Sequence, residues 1–278
     1  MFQNRRLIVA TKHDKEKVIA PLLEKELGVI CFTDPSFDTD TLGTFSGEVE
    51  RQNDPLTTAR EKCLLAMQKN NCDLGVASEG SFGAHPSVFF ASADDEFLIF
   101  IDKKNNLEII ARELSLSTNF NGKEIFSEKE LLEFANEAGF PSHALILRKS
   151  NHDKLDIFKG ITETTLLIKI YNDLSAKYSK LFVETDMRAM FNPTRMAVIE
   201  KTTEKLLEKI KSVCPNCEMP GFDIKEAKKG LPCSLCGLPT KATLSYRYVC
   251  QHCAFSEEVK YPFNKTTEDP TYCDFCNP

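Results

Sequence analysis

The chain has 278 residues, 42% hydrophobic and 27% charged, with a formal net charge of −6. That composition is that of a globular protein, not a disordered one, and suffices for one large domain, or a medium one with an appendage. No apolar run approaches the roughly 20 residues of a membrane helix, and only about five apolar residues follow Arg5 and Arg6, too few for a signal-peptide core. The expectation is a cytoplasmic protein with no membrane contact.

Residues 5–10, RRLIVA, predict an opening strand. A helix over 14–27 follows, capped by Asp14, with Val18, Ile19, Leu22, Leu23 and Leu27 on one face and Pro21 interrupting it. VICF at 29–32 predicts a short strand, and 33–53, rich in Asp, Thr, Gly and Ser, a loop. The next helix is better signalled: Asp54 caps it, Pro55 fits its first position, and Leu56, Ala59, Cys63 and Met67 recur at helical spacing. A strand from Leu74 ends at Glu79, and further strands are expected near 87–92, 96–102 and 107–113. A helix over 128–138, strands at 143–149 and near 154–158, a helix over 164–179 and a strand at 180–185 come next. Asn192–Pro193 opens a last helix with Ile199, Leu206, Leu207 and Ile210 along one side. This alternation predicts an α/β fold over 1–211, a mixed sheet with flanking helices.

Near residue 212 the helical periodicity stops and a cysteine-rich segment, 212–278, begins. Eight of the 11 cysteines form four C-x-x-C pairs: Cys214/Cys217, Cys233/Cys236, Cys250/Cys253 and Cys273/Cys276. Two intervening residues let a tight turn aim both sulfurs at one ion, so eight thiols predict two closed, structural Cys₄ zinc sites. Sequential pairing leaves 15 and 19 residues between the knuckles. Nested pairing encloses a strand-like TLSYRYV between the second and third pairs, the zinc-ribbon pattern, and is slightly favoured. Each zinc tetrathiolate carries a formal charge of −2, which argues against phosphate-backbone binding. Cys31, Cys63 and Cys72 stand apart and read as small buried hydrophobes.

Glu79 lies where an apolar strand runs into SEGSFG, and in α/β sheets ligands bind beyond the carboxyl ends of strands. Glu48 and Glu50, in TFSGEVER, precede the second helix, and ETDMRAMFNPTRM adds Asp186, Arg188 and Arg195. Clustered carboxylates hold Mg²⁺ or activate water, and arginines fork onto phosphate oxygens. Each group also has a plain structural role open to it, Asp186 with Arg188 as an ion pair for example.

The succession of a strand, the ATKHDKEK helix, a loop with GTFSGE, the helix DPLTTAREKCLLA and the strand DLGVASEGSFG resembles the N-terminal half of inosine triphosphate pyrophosphatase-like proteins, the Maf-type superfamily. The resemblance covers about residues 5–85. It implies a Maf-like fold and Mg²⁺-dependent hydrolysis of noncanonical nucleoside triphosphates, with Thr11, Glu48 and Glu79 on matching motif positions. The chain departs from that pattern at His13, where the family has Asn, and at Glu16, where its phosphate-binding lysine falls, between Lys15 and Lys17. Either Glu48 or Glu50 matches the acidic motif. Over its whole length the chain resembles a bacterial family described as a domain of unknown function, through SEGSFG, ETDMRA-x-x-NPTRM and a tail with CDxCNP; that likeness carries no activity.

The chain therefore reads as a Mg²⁺-dependent nucleotide phosphohydrolase or nucleotide-binding protein with two structural zincs. Glu48, Glu50 and Glu79 are the catalytic candidates. Thr11, Lys12, His13, Lys15, Ser78, Ser81, Asp186, Arg188 and Arg195 are the candidates for binding a nucleotide or other phosphorylated small molecule. The alternative is a non-catalytic zinc-ribbon adaptor for a protein or nucleic-acid partner, nucleic acid being disfavoured by charge; a homo-oligomer is left open.

Overall fold

In the computed structural model, which describes residues 1–37, 53–151, 153 and 155–278, the chain divides into two units. Met1–Lys104 with Ile110–Leu206 form the first, and Asn105–Ile109 with Leu207–Pro278 the second. Glu48 and Glu50 lie outside the described residues. No described helix is long and apolar enough to cross a membrane.

Among its described residues the first unit is α/β and holds two sheets, not one. The larger has the order β2-β1-β3-β4-β5, from β1 (Arg6–Ala10), β2 (Ile30–Phe32), β3 (Leu74–Ala84), β4 (Ser92–Asp102) and β5 (Leu107–Ser115). β1 runs parallel to β2 and β3, and β3 pairs antiparallel with β4, so this sheet is mixed. α1 (Glu16–Leu27) starts later than Asp14, whose backbone is left-handed (φ 59°) and whose side chain pairs with Lys17. α2 (Pro55–Lys69) begins at the expected cap, the Asp54 carboxylate accepting from the amides of Leu56 and Thr57.

Ala59, Cys63, Ala66 and Met67 of α2 pack on Ile8, Ala10, Ala77, Ile99 and Ile101 of the sheet. Gly75 makes this close approach feasible: a Cβ there would lie 2.7 Å from Met67 Cγ. Side chains alternate along a strand, so Gly75, Ala77 and Glu79 face α2, while Val76, Ser78, Gly80 and Phe82 face the opposite side.

The smaller sheet is antiparallel, ordered β6-β9-β7-β8, from β6 (Gly122–Ile125), β7 (Leu145–Arg148), β8 (Ile157–Ile161) and β9 (Leu181–Thr185). α3 (Glu128–Ala138) and α4 (Thr164–Ser175) supply Leu131, Phe134, Leu167, Ile170 and Leu174 to its core. α5 (Pro193–Lys211) starts as expected, the Asn192 side chain accepting from the Arg195 amide at 3.0 Å.

One expected strand is absent: 87–92 is mostly hairpin loop. Pro86 cannot donate to a ladder, and the His85 ring accepts from the amides of Ser87 and Val88, turning the chain back so that the His85 amide meets Ala91 O. β3 runs on to Ala84, so Glu79 lies inside a strand and not at its tip. The ladder persists there because Ser78, Gly80, Ser81 and Gly83 pair with β4 in unbroken register.

The second unit is built on an antiparallel sheet, β10 (Asp223–Lys229), β11 (Thr243–Val249) and β12 (Ser256–Lys260), in that order. Its small apolar cluster joins Phe222, Tyr248 and Phe255 to the thiols Cys214, Cys217, Cys250 and Cys253.

Candidate functional site and candidate metal centres

β1 stops at Ala10, opposite Ala77, while β3 and β4 continue as a ribbon. The β1–α1 turn therefore brings Lys15 beside the extension. Lys15, only 6% exposed, donates from Nζ to Ser78 Oγ at 3.0 Å. Burial, and then the charge of Arg195, pull the Lys15 ammonium down to about 8, against the opposing pull of Glu96 and Glu79. Lys15 thus sits among charges from both sides of the sheet.

On the side facing α2, Glu79 forms a buried ion pair with Lys62. The other side carries Asp94 and Glu96, cross-strand from Phe82 and Gly80. Arg195 reaches in from the first turn of α5, its Nε donating to Glu96 Oε1 at 2.6 Å and its Nη1 to Met187 O at 2.6 Å. Its guanidinium covers the Phe82 ring, which stacks on Phe120. Burial, and then the neighbouring Glu96 carboxylate, push Asp94 up to about 8. Both Asp94 oxygens and Glu96 Oε2 are buried with no hydrogen-bond partner among the described residues.

At the carboxyl ends of β1 and β2 a cavity of 230 Å³ is lined by Thr11, Lys12, Glu16, Thr33, Asp34, Pro35 and Phe37. Thr11 Oγ1 is a buried hydroxyl without a hydrogen-bond partner among the described residues. Asp34 is already engaged with Ser36, Lys69 and Asn70.

The expected residues thus separate. Thr11, Lys12 and Lys15 come with the β1–α1 turn, where His13 also lies, half-buried; Ser78, Glu79 and Ser81 lie on β3. Asp186 is fully buried and forks onto Arg188, accepting also from the Gly160 amide, so this pair holds the turn after β9. Arg195 is 1% exposed and committed to Glu96. Lys62, Asp94 and Glu96 escaped the sequence reading. Alternation along SADDEF puts Asp94 and Glu96 on one face, but Arg195, which meets Glu96 there, is distant in sequence.

In the second unit, Cys214, Cys217, Cys250 and Cys253 form one group, and Cys233, Cys236, Cys273 and Cys276 the other, the sulfurs of each within 4.8 Å of one another. Neither the nested nor the sequential pairing is present: the pairs interleave, first with third and second with fourth. The sheet explains why. β10, β11 and β12 alternate in direction, and a knuckle precedes β10 and follows each strand. Consecutive knuckles therefore fall at opposite ends of the sheet and alternate ones meet.

Each knuckle closes with an amide returning to the first cysteine's carbonyl: Glu218 to Cys214, Gly237 to Cys233, Ala254 to Cys250 and Asn277 to Cys273. Glu218, Gly237 and Ala254 take left-handed backbone to do so. Sulfur–sulfur distances are 3.7 Å for Cys214–Cys253, 3.6 Å for Cys217–Cys250, 3.9 Å for Cys233–Cys276 and 3.7 Å for Cys236–Cys273. A tetrahedron with metal–sulfur bonds of about 2.3 Å has edges of about 3.8 Å, whereas a disulfide needs about 2.05 Å. Each group can hold a metal ion. A family model with the description "Domain of unknown function (DUF6671)" matches residues 62–278. No curated protein matches the chain.

Proposed function

We propose, for a chain that belongs to the DUF6671 family, a Mg²⁺-dependent phosphohydrolase or binding protein for nucleotides, coupled to a structural two-zinc module. The observation that carries this reading is Lys15: a desolvated ammonium at the carboxyl end of β1, bonded to Ser78 and set among Glu79, Glu96, Lys62 and Arg195. Mixed carboxylates and cations beyond parallel strands suit a phosphate ester and its counter-ion. The N-terminal resemblance to the Maf-type superfamily supports the same substrate class and a Maf-like larger sheet.

In this reading Thr11, Lys12, His13, Lys15, Ser78 and Ser81 meet phosphate oxygens. Glu79, ion-paired with Lys62, takes a proton from water, and Glu48 or Glu50 is assigned a share in that catalytic role. Asp186, Arg188 and Arg195 act as positioning residues that fix the turn after β9 and α5. The test is a panel of nucleoside triphosphates with Mg²⁺. Pyrophosphate or phosphate is released by the wild type, and Glu79→Gln abolishes release without unfolding; undiminished turnover in that variant removes Glu79 from the mechanism. No turnover, with thermal stabilisation by nucleotide, leaves the binding half of the proposal.

Zinc is the metal that fits the thiol groups. Four soft donors at tetrahedral spacing leave no open coordination position, so the ion closes the fold and supplies no reaction. A second reading, a docking adaptor, is favoured by the knuckle tips of the second group, where Leu235 and Phe275 are 74% and 71% exposed. A nucleic-acid partner is less supported: β11 alternation sets Arg247, bonded to Glu226, opposite Tyr246 and Tyr248.

A further inference from the structure

Asp94 and Glu96 stand two residues apart on β4, on one face, 1% and 0% exposed. Of their four carboxylate oxygens only Glu96 Oε1 is bonded, to Arg195; the other three have no hydrogen-bond partner among the described residues. Ionised carboxylates are not buried without compensation. What binds bare carboxylate oxygens is a proton or a cation. A single proton bridging the pair engages two of the three oxygens and leaves the third orphaned.

A hard divalent cation meets the need better. It accepts only oxygen donors, takes one or two of them from protein carboxylates and completes its shell with water and phosphate. Arg195 and Lys15 are cations whose fields reach Asp94. They oppose a bare divalent ion and attract an anion, so ion and phosphate should bind together.

We propose that Asp94 and Glu96 ligate a divalent cation of the Mg²⁺ class, bound jointly with a phosphate group that Lys15 faces. The phosphate half rests on the phosphohydrolase reading; the cation half stands on the orphaned oxygens alone. The two carboxylates supply the protein's ligands, and Lys15 holds the anion that screens the ion from Arg195.

Mn²⁺ is the probe, because a hard ion is a poor competitor for thiolate groups. Free Mn²⁺ is read by electron paramagnetic resonance in titrations of the full chain, with and without inorganic phosphate. One Mn²⁺ binds per chain, and phosphate tightens it about tenfold. Asp94→Asn with Glu96→Gln weakens it by at least the roughly 100-fold that outer-shell changes can reach. Lys15→Met keeps Mn²⁺ binding and loses the phosphate effect. Equal Mn²⁺ binding by wild type and the folded double variant overturns the site. Should that variant not fold, Fe²⁺ with ascorbate and peroxide cuts the wild-type backbone beside a bound cation. Cuts within β4, suppressed by Mg²⁺, support the site, and their absence overturns it. Mn²⁺ binding without nucleotide turnover sinks only the hydrolase reading; Mg²⁺-dependent turnover by the double variant at the wild-type rate sinks only the cation site.

Discussion

Arg195 Nε lies 2.6 Å from Glu96 Oε1, and both side chains are fully buried. This ion pair ties the first turn of α5 to the middle of the larger sheet across 99 residues of sequence. Removing one partner leaves the other charge desolvated and unanswered, which typically costs about 3–5 kcal/mol. Arg195→Met should therefore lower the urea midpoint sharply. Arg195→Met combined with Glu96→Leu should recover much of the loss, since apolar groups of similar volume replace both charges. A single variant of near wild-type stability would show that this tie does not hold the fold.

Gly80 and Gly83 make a paired test of how tightly the same cluster is packed. A Cβ on Gly80 would lie 2.2 Å from Glu96 Oε1 and 2.7 Å from Arg195 Nη2, whereas one on Gly83 meets nothing within 4 Å. The Glu96 and Arg195 side-chain ends are bonded to each other and cannot simply swing away. Gly80→Ala should cost about 1–3 kcal/mol, the usual range for overpacking. Gly83→Ala should be neutral within error. Chemical denaturation of both, side by side, decides; equal stability would mean the cluster is looser than its distances indicate.

The elements legible in the sequence were those whose signals are local. The cap and first turn of α2 could be read directly from Asp54–Pro55, and α5 from Asn192–Pro193, because capping chemistry involves neighbours in the chain. The extent of β3 was not legible: its apolar pattern ends near Ala77, and the strand continues only because β4 supplies partners for Ser78 to Ala84. The split into two sheets was missed for a related reason, since strand order is fixed by pairings between distant segments. Glu79 reads as a carboxylate at a strand tip, yet its ion-pair partner Lys62 lies on a helix whose face pattern gives no hint of a buried ammonium.

Asp94 and Lys15 give the stability a defined pH profile. Asp94 is raised from 3.8 to about 8 in the folded chain, so between about pH 4 and 8 the folded state keeps a proton that the unfolded state has released. Its contribution is full below that window and is lost as pH rises through it. Lys15 is lowered from 10.5 to about 8, so between about pH 8 and 10.5 the unfolded state holds the extra proton and stability rises with pH. Wild-type stability relative to Asp94→Asn should fall from pH 5 to 8, by at most about 1.4 kcal/mol per pH unit. Relative to Lys15→Met it should rise from pH 8 to 10. The comparison belongs in buffer without added Mg²⁺; flat differences would sink it.

The interleaved cysteine groups make the sharpest prediction, because metal counting separates all three pairings. Cys217→Ser with Cys253→Ser removes two ligands from one group and leaves Cys233, Cys236, Cys273 and Cys276 complete. That chain should keep one tightly held metal. Cys217→Ser with Cys236→Ser strikes both groups and should lose both ions. Nested pairing would put Cys217 with Cys276 and Cys236 with Cys253, so the first variant would lose both ions. Sequential pairing would put Cys217 with Cys236, so the second would keep one. Structural zinc contributes its binding energy to folding, and in this unit the thiols are part of the only apolar cluster found among its described residues. Loss of the Cys214 group should therefore expose Phe222, Tyr248 and Phe255 and melt that end of the sheet first, as hydrogen exchange at β10 and β11 would record. In the Cys217→Ser, Cys253→Ser chain the Cys233 group should hold the opposite end longer, because all four of its thiols remain.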